Sequence, residues 1–215
     1  MARFTVPAAP LLVAVAQESL WVATSTSLMR VNPANGAVVT TVALGFDPVA
    51  LAPSYNGAWV YVLGYSPSRH LVLADYSAGS GQRLGSRRLD SDSDGPLGVA
   101  AEGVWVPEED TATLLTTAQL FKGQHLEPSS TVGGLSFDTQ PYVEDNILWL
   151  IDSAGRGPTI CADPDNGRVR ARGAPVGVEY DGAMAWDGGK TYLLHDVGVD
   201  ESLLEITPTG RCSGS

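Results

Sequence analysis

Residues 20–44 read LWVATSTSLMRVNPANGAVVTTVAL, two short apolar runs and a polar turn in close succession. An aromatic strand, Leu20–Ala23, is followed by a second apolar strand, Leu28–Val31. A polar turn ending in Asn-Gly then leads into a segment rich in Val and Thr. Asn-Gly turns favour tight hairpins because both residues tolerate positive φ. The stretch therefore predicts consecutive antiparallel strands.

The same pattern recurs about every 40 residues, a period typical of β-propeller blades with four short strands each. Its five copies are marked by Trp21, Trp59, Trp105, Trp149 and Tyr192. Long segments with the 3.6-residue apolar period of helices are missing, so helix is expected to be nearly absent. The sequence predicts an all-β fold, a five-bladed β-propeller with four-stranded antiparallel blades.

A single β-propeller domain is predicted over residues 1–215, because a chain of this length with 44% hydrophobic residues can bury one ample core. The last copy ends after its third strand, and residues 3–6 form an extended piece with no other assignment. Pairing of the N- and C-terminal strands would close the ring and remove an exposed sheet edge. The alternative is a fragment of a larger propeller. The predicted blades are approximately 11–45, 47–90, 95–133, 134–176 and 178–215, with 3–6 completing the last.

The strand pattern of residues 20–39 resembles the blade repeat of bacterial YVTN-type, NHL-type and virginiamycin B lyase-like β-propellers. The resemblance covers most of the chain and implies the architecture. It implies no single function, because the superfamily includes lyases, sensor domains and binding scaffolds. Members usually have six or seven blades, not five. The lyase branch implies His and Glu around a magnesium ion in the central channel, but His70, His125 and His195 fall at different blade positions and match no such motif.

The net charge of −11 and the sequence pI of about 4.5 limit the classes of partner. Nucleic acid and anionic membrane both require a basic surface, so neither is expected. No segment approaches the length of a transmembrane helix. The charge favours a cationic ligand, a metal ion or a basic protein patch. Alternatively, it serves only to keep the protein soluble.

Acidic and aromatic residues gather in loops that would share one face of a propeller, because they follow the second strand of a blade or connect successive blades. Such a face would carry negative potential around the channel mouth. Alternatively, acids simply occur in loops. The candidate ligand-face residues are Phe46, Asp47, Tyr65, Glu108, Glu109, Asp110, Asp152, Glu179, Tyr180 and Asp196.

Asp90, Asp92 and Asp94 alternate before Gly95, in the manner of loops that gather oxygen ligands around calcium. The twelfth position of an EF-hand loop is here Ala101, not an acid, so a Ca²⁺ site would be of another type. The alternative is a solvated acidic turn.

The two cysteines, Cys161 and Cys212, fall in the fourth and fifth predicted blades. A disulfide between them would close a loop of about 50 residues and stabilise the fold. It would indicate an oxidising, extracellular or cell-surface location. Two reduced thiols and a cytoplasmic location are the alternative.

Catalysis has little support, because no nucleophile motif such as G-x-S-x-G occurs and no carboxylate pair stands out. The first hypothesis is a non-catalytic propeller that presents its acidic loop face to a protein, peptide or carbohydrate. The second is a metal-assisted lyase or hydrolase with its site in the central channel. A third is a structural propeller that self-associates.

Overall fold

The computed structural model describes residues 9–89, 95–108, 110–116, 119–120, 129–136, 138–144, 146–177, 184–187, 190–196 and 201–206. These residues form strands, turns and loops, apart from helical residues 119–120. They belong to two compact units, one within Met1–Asp94 and Thr116–Leu126, the other within Gly95–Leu115 and Glu127–Ser215. No helix among them is long and apolar enough to cross a membrane.

The first unit contains two four-stranded antiparallel sheets, each with its strands in chain order. The first sheet consists of β1 (Leu12–Ala16), β2 (Ser19–Ala23), β3 (Ser27–Val31) and β4 (Val38–Ala43). The second consists of β5 (Asp47–Pro53), β6 (Trp59–Tyr65), β7 (Leu71–Ser77) and β8 (Arg83–Arg88).

The second unit contains two further four-stranded sheets and one of three strands, again in chain order. The third sheet consists of β9 (Gly98–Val99), β10 (Gly103–Glu108), β11 (Thr111–Thr116) and β12 (Ser130–Gly133). The fourth consists of β13 (Thr139–Glu144), β14 (Ile147–Asp152), β15 (Pro158–Ala162) and β16 (Val169–Pro175). The fifth consists of β17 (Met184–Asp187), β18 (Lys190–Asp196) and β19 (Glu201–Ile206).

The all-β prediction is confirmed, and four of the predicted units are four-stranded antiparallel sheets. Each is a simple up-and-down meander, as expected of a propeller-like blade. The fifth predicted blade has three described strands. Residues 3–6, predicted to complete it, lie outside the described residues, and so do the chain's last nine residues.

The sheets of each unit pack through their faces. In the first unit, one apolar cluster joins Trp21 and Leu28 of the first sheet to Val60 and Tyr76 of the second. In the second unit, Trp105 of the third sheet clusters with residues of the fourth. Burial of such faces is the main favourable term in folding.

Strand β14 is covered on both faces. All six of its residues are buried. Leu148 and Leu150 join the cluster around Trp105, whereas Ile147, Trp149 and Ile151 form a separate cluster on the opposite face. This alternation follows from the two-residue period of a strand.

The turns between third and fourth strands repeat the same hydrogen bonds in three sheets. The N–H of Gly36 donates to Asn32 O, that of Gly81 to Ser77 O and that of Gly167 to Asp163 O, each at 2.8 Å. All three glycines have positive φ, between 71° and 76°. The conformation that glycine adopts without steric cost therefore recurs with the blade repeat.

The tryptophan pattern requires one correction, in the second sheet. In the first sheet Trp21 pairs with Arg30, and in the fourth Trp149 pairs with Cys161. Each partner lies two residues before the turn between the third and fourth strands. The residue in the corresponding pair of the second sheet is Tyr61, which is 1% exposed. Trp59 lies two residues away, opposite Ser77, and is only half-buried. Because side chains two residues apart share a strand face, the sequence did not distinguish the two aromatic residues.

The turn of the fourth sheet docks onto the third sheet. Trp105 donates its indole N–H to the carbonyl oxygen of Pro164 over 2.6 Å, and Ser130 donates to the carbonyl oxygen of Asn166. A Cβ atom at Gly167 would lie 2.8 Å from both Ser130 Oγ and Trp105 Cη2. In the first unit, Arg30 likewise donates to the carbonyl oxygen of Gly79, in the corresponding turn of the second sheet. Successive sheets are therefore fixed by turn contacts as well as by apolar burial.

Candidate functional site

A cavity of about 670 Å³ opens between loops of the first and second sheets. Three segments line it: the β2–β3 turn, the connection from β4 to β5, and the β6–β7 loop. The lining residues are Ser25, Thr26, Ala43, Gly45, Phe46, Asp47, Tyr65, Ser66, Pro67 and Arg69. This volume is typical of sites for small molecules.

The structure brings three predicted ligand-face residues, Phe46, Asp47 and Tyr65, together at this cavity. Asp47 and Tyr65 are direct partners in the β5–β6 pair, which places both at the end of the second sheet. Gly64 permits the approach of the chain that carries Phe46, because a Cβ there would lie 2.3 Å from Asp47 O and 2.7 Å from Phe46 Cδ2. A larger residue at Gly64 would therefore displace one wall of the cavity.

The β6–β7 loop is held by hydrogen bonds around Ser66. The N–H of Ser66 donates to His70 O over 2.9 Å, and the N–H of Arg69 donates to Ser66 O over 2.8 Å. The Ser66 hydroxyl accepts the N–H of His70 over 3.1 Å. These bonds set the backbone from which Arg69 reaches the cavity.

The cavity combines groups of complementary chemistry. Asp47 and Arg69 are exposed and supply a carboxylate and a guanidinium. Phe46 is 7% exposed, and Tyr65 is half-buried and adds a second aromatic surface. Exposed Ser25 and Thr26 add hydroxyl groups that donate and accept hydrogen bonds. Apolar walls with a few polar groups are what a site that orients a small ligand needs.

Other predicted face residues make contacts within the protein. Asp152 is 2% exposed, and its carboxylate accepts the backbone N–H of Ala154 and of Arg156, each over 3.0 Å, and that of Gly157. These bonds close the β14–β15 loop, since a carboxylate can satisfy several amides at once. The Asp152 carboxylate therefore stabilises the β14–β15 loop.

Glu108 and Asp110 flank the β10–β11 turn. The Glu108 carboxylate accepts a hydrogen bond of 2.7 Å from the Thr113 hydroxyl and one of 3.3 Å from the Thr111 hydroxyl. Asp110 is exposed, and its carbonyl oxygen accepts the N–H of Leu135. Neither residue lines the cavity.

Several candidates fall outside the described part of the chain: Glu109, Glu179 and Tyr180 of the ligand face, Asp90, Asp92 and Asp94 of the calcium prediction, and Cys212. The backbone of Asp196 ends β18, where it pairs with Glu201. Cys161 is fully buried in β15. Within the described residues, no group of three His, Cys, Asp or Glu side chains is placed to hold a metal ion. The calcium site and the disulfide stay predictions.

Two polar residues that the sequence did not single out, Asp75 and Tyr76, are fully buried in β7. Burial raises the pKa of the Asp75 carboxyl above its usual 3.8, and nearby backbone N–H groups and the charge of Arg83 only partly oppose this. Burial also raises the pKa of Tyr76. A single acid inside the apolar run of residues 71–76 was the available signal.

Comparison with known proteins supports the architecture and no more. No known protein-family profile matches the chain, and no curated protein matches it either. Hydrazine synthase from Kuenenia stuttgartiensis is a structural neighbour with a TM-score of 0.67 and 14% identity over 91% of this chain. The computationally designed Ika8 protein has a TM-score of 0.62 and 15% identity over 90% of this chain.

The chain spans 58% and 57% of the length of these two neighbours. In all, 510 chains of solved structures match, so the fold is widely shared and indicates no particular function. The resemblance to YVTN-type, NHL-type and virginiamycin B lyase-like propellers is accordingly supported only as an architecture of four-stranded antiparallel sheets.

Proposed function

We propose that this protein is a non-catalytic binding module that takes part of a protein, peptide or carbohydrate ligand into the cavity between its first two sheets. The observation that carries the proposal is the convergence of Phe46, Asp47, Tyr65 and Arg69 on one open cavity of about 670 Å³. The three loops that line it belong to rigid strands, as a preorganised site requires.

The proposal extends to the whole architecture. The five sheets are the blades of one β-propeller, and residues 3–6 complete the last blade by pairing with its outer edge. Closure would remove the exposed edges of the terminal sheets. The regular chain order of strands in all five sheets supports this arrangement.

The rival function, a metal-assisted lyase or hydrolase, would need several His and acidic side chains converging around an ion. The described residues supply no such group of three. We therefore assign no residues to that function.

The experiment is a binding screen followed by titration. The purified chain is applied to arrays of glycans and of peptides, and each hit is titrated by isothermal calorimetry against the parent, Asp47→Asn and Asp110→Asn. Asp110 is the matched control, because it is an exposed acid predicted for the same face but does not line the cavity.

Loss of affinity of about tenfold in Asp47→Asn alone would support the cavity as the site, since a hydrogen bond to a charged group contributes about 1.5–3 kcal/mol. Equal losses of affinity in both variants would indicate that the ligand is bound by the acidic surface in general and not by the cavity. Hits that neither variant weakens would contradict the proposal.

A further inference from the structure

Arg69 has a backbone conformation that its residue type does not favour. Its φ is +63°, in the left-handed region. Three other described residues besides glycine have positive φ: Gln17, Glu18 and Asn146. Gln17 and Glu18 form the two-residue turn of a hairpin that demands positive φ, and Asn tolerates this conformation. Arg69 also occupies a hairpin position that takes positive φ, but arginine does not adopt that conformation as readily as glycine or asparagine.

The fourth sheet has glycine at the matching position of a similar turn. In its β14–β15 loop, the N–H of Gly155 donates to Asp152 O over 2.9 Å, with φ +68°. In the β6–β7 loop of the second sheet, the N–H of Arg69 donates to Ser66 O over 2.8 Å. The two loops therefore share a turn, with glycine in one and arginine in the other. Local strain retained where glycine would fit is characteristic of functional sites.

The guanidinium of Arg69 is also available to a ligand. Three described arginines, Arg30, Arg170 and Arg172, donate side-chain hydrogen bonds to neighbouring residues, and several others, including the exposed Arg88, do not. What distinguishes Arg69 is its place at the cavity. Arg69 is exposed at the cavity, and its guanidinium has no acceptor among the residues that the structure describes. The guanidinium of Arg69 and the carboxylate of Asp47 line the same cavity, where both are exposed to a ligand.

The chemistry of the cavity favours an uncharged ligand rich in hydroxyl groups. Its two charged side chains, Asp47 and Arg69, have opposite signs and cancel formally, while the chain carries −11 overall. The overall charge disfavours an anion, and Arg69 disfavours a cation. Neighbouring hydroxyls of a sugar can accept from the guanidinium and donate to the carboxylate, and the apolar face of a sugar ring suits the aromatic walls.

The backbone around the cavity argues against peptide recognition by strand addition. The turns that line it satisfy their own groups: Thr24 N–H donates to Ser27 O, Leu44 N–H to Thr26 O, and Ser66 N–H to His70 O. Strand addition needs a row of unpaired backbone groups. Recognition here depends on side chains.

We infer that the cavity is a saccharide site in which Arg69 and Asp47 clamp adjacent hydroxyls of a neutral sugar unit, and that the left-handed Arg69 is retained for this contact. The inference rests on the proposed binding function and names its ligand class. Arg69 anchors the sugar, and Tyr65 supplies a surface for the sugar ring.

The test separates binding from folding. Maltotriose, cellotriose, chitotriose and mannotriose are titrated by calorimetry into the parent, Arg69→Gly, Asp47→Asn and Arg88→Ala. Trigalacturonate and trialanine serve as acidic and peptide probes. Arg88 is the matched control, since it is exposed in β8 outside the cavity. Thermal unfolding is recorded for every variant.

At least one neutral trisaccharide is expected to bind the parent, and Arg69→Gly is expected to weaken it about tenfold or more. The Tm of Arg69→Gly should equal or exceed that of the parent, because glycine relieves the left-handed strain. Arg88→Ala should match the parent in both measurements.

Each other outcome overturns the inference in an identifiable way. If trigalacturonate or trialanine binds through Arg69 and no neutral sugar does, the proposed binding function stands and the saccharide assignment fails. If no probe binds, or if binding is the same in every variant, the saccharide assignment fails, and the array screen with Asp47→Asn and Asp110→Asn decides the proposed binding function separately. If Arg69→Gly lowers the Tm, Arg69 has a structural role and is not retained for a ligand.

Discussion

The docking of the fourth sheet's turn onto the third sheet can be tested at Gly167, by substitution with alanine. Gly167 has φ +71°, and a Cβ there would lie 2.8 Å from Trp105 Cη2 and Ser130 Oγ and 3.1 Å from Val132 Cγ2. Atoms do not approach a real Cβ so closely, so either the turn or the side chains that face it must move. The movement would stretch the hydrogen bond that joins Trp105 to the turn.

Three effects set the magnitude. Overpacking costs about 1–3 kcal/mol, and a Cβ in the left-handed region costs about 1–2 kcal/mol. Alanine also restricts the unfolded chain more than glycine does, which offsets about 0.4–1 kcal/mol of these two costs. We expect Gly167→Ala to lower the free energy of unfolding by about 2–3 kcal/mol.

Gly134→Ala is the matched control, because Gly134 has φ +72° and nothing within 4 Å of an added Cβ. It carries the backbone cost without the clash. The Tm of Gly167→Ala, measured by circular dichroism, should lie about 2–12 °C below that of Gly134→Ala, because the clash alone costs about 1–3 kcal/mol at about 2–4 °C per kcal/mol for a chain of this size. Equal Tm values would refute the docked turn and the steric argument drawn from it.

Three further predictions concern the core. Trp105→Phe should lower the free energy of unfolding in urea by about 1–3 kcal/mol more than Trp21→Phe does, because it leaves the buried carbonyl oxygen of Pro164 unpaired. Trp21→Phe is the control, since the Trp21 indole N–H has no acceptor among the described residues. Equal losses in the two variants would contradict this. Asp75 has a raised pKa in the folded state. Its contribution to stability is therefore present below the usual carboxyl pKa of 3.8 and is lost as the pH rises through the pKa of the folded state. The stability of Asp75→Asn relative to the parent should therefore rise as the pH increases from about 4 to about 8, a range that lies above the usual carboxyl pKa. A stability difference that stays constant across this range would exclude the effect. If Cys161 and Cys212 pair, reduction should lower the stability by about 2–4 kcal/mol and change the intact mass; reactive thiols in the unreduced, denatured chain would contradict the pairing.

The sheets were predictable because their signals are local. The strand Ile147–Asp152 can be identified from its apolar composition alone. The Asn-Gly and other Gly-containing turns identify hairpins. The assignment of Trp59 failed for an equally local reason, since Tyr61 lies on the same strand face. Periodicity identifies the face of a strand, but only pairing with the neighbouring strand identifies the position along it.

The candidate site was only partly predictable. The structure places Phe46, Asp47 and Tyr65 at one cavity, because the connection between successive sheets and the end of a sheet's second strand meet at one sheet end. Their role as ligand contacts stays a prediction. Asp152 follows a strand just as a ligand-face acid would, yet its carboxylate is used by backbone amides of its own loop. Exposure of a loop carboxylate depends on where the loop folds back, which residue type does not encode.

Arg69 shows where sequence and structure together exceed either alone. In the sequence it is one exposed cation in a polar loop, because nothing in the residue type reveals its φ. In the structure it has positive φ at the cavity, and this becomes informative by comparison with Gly155, which holds a similar turn in another sheet without a side chain. A repeat protein thus contains its own reference for each position. Where one copy keeps a residue that its backbone disfavours, and the side chain reaches an open cavity, the departure from the repeat points to ligand contact and not to stability.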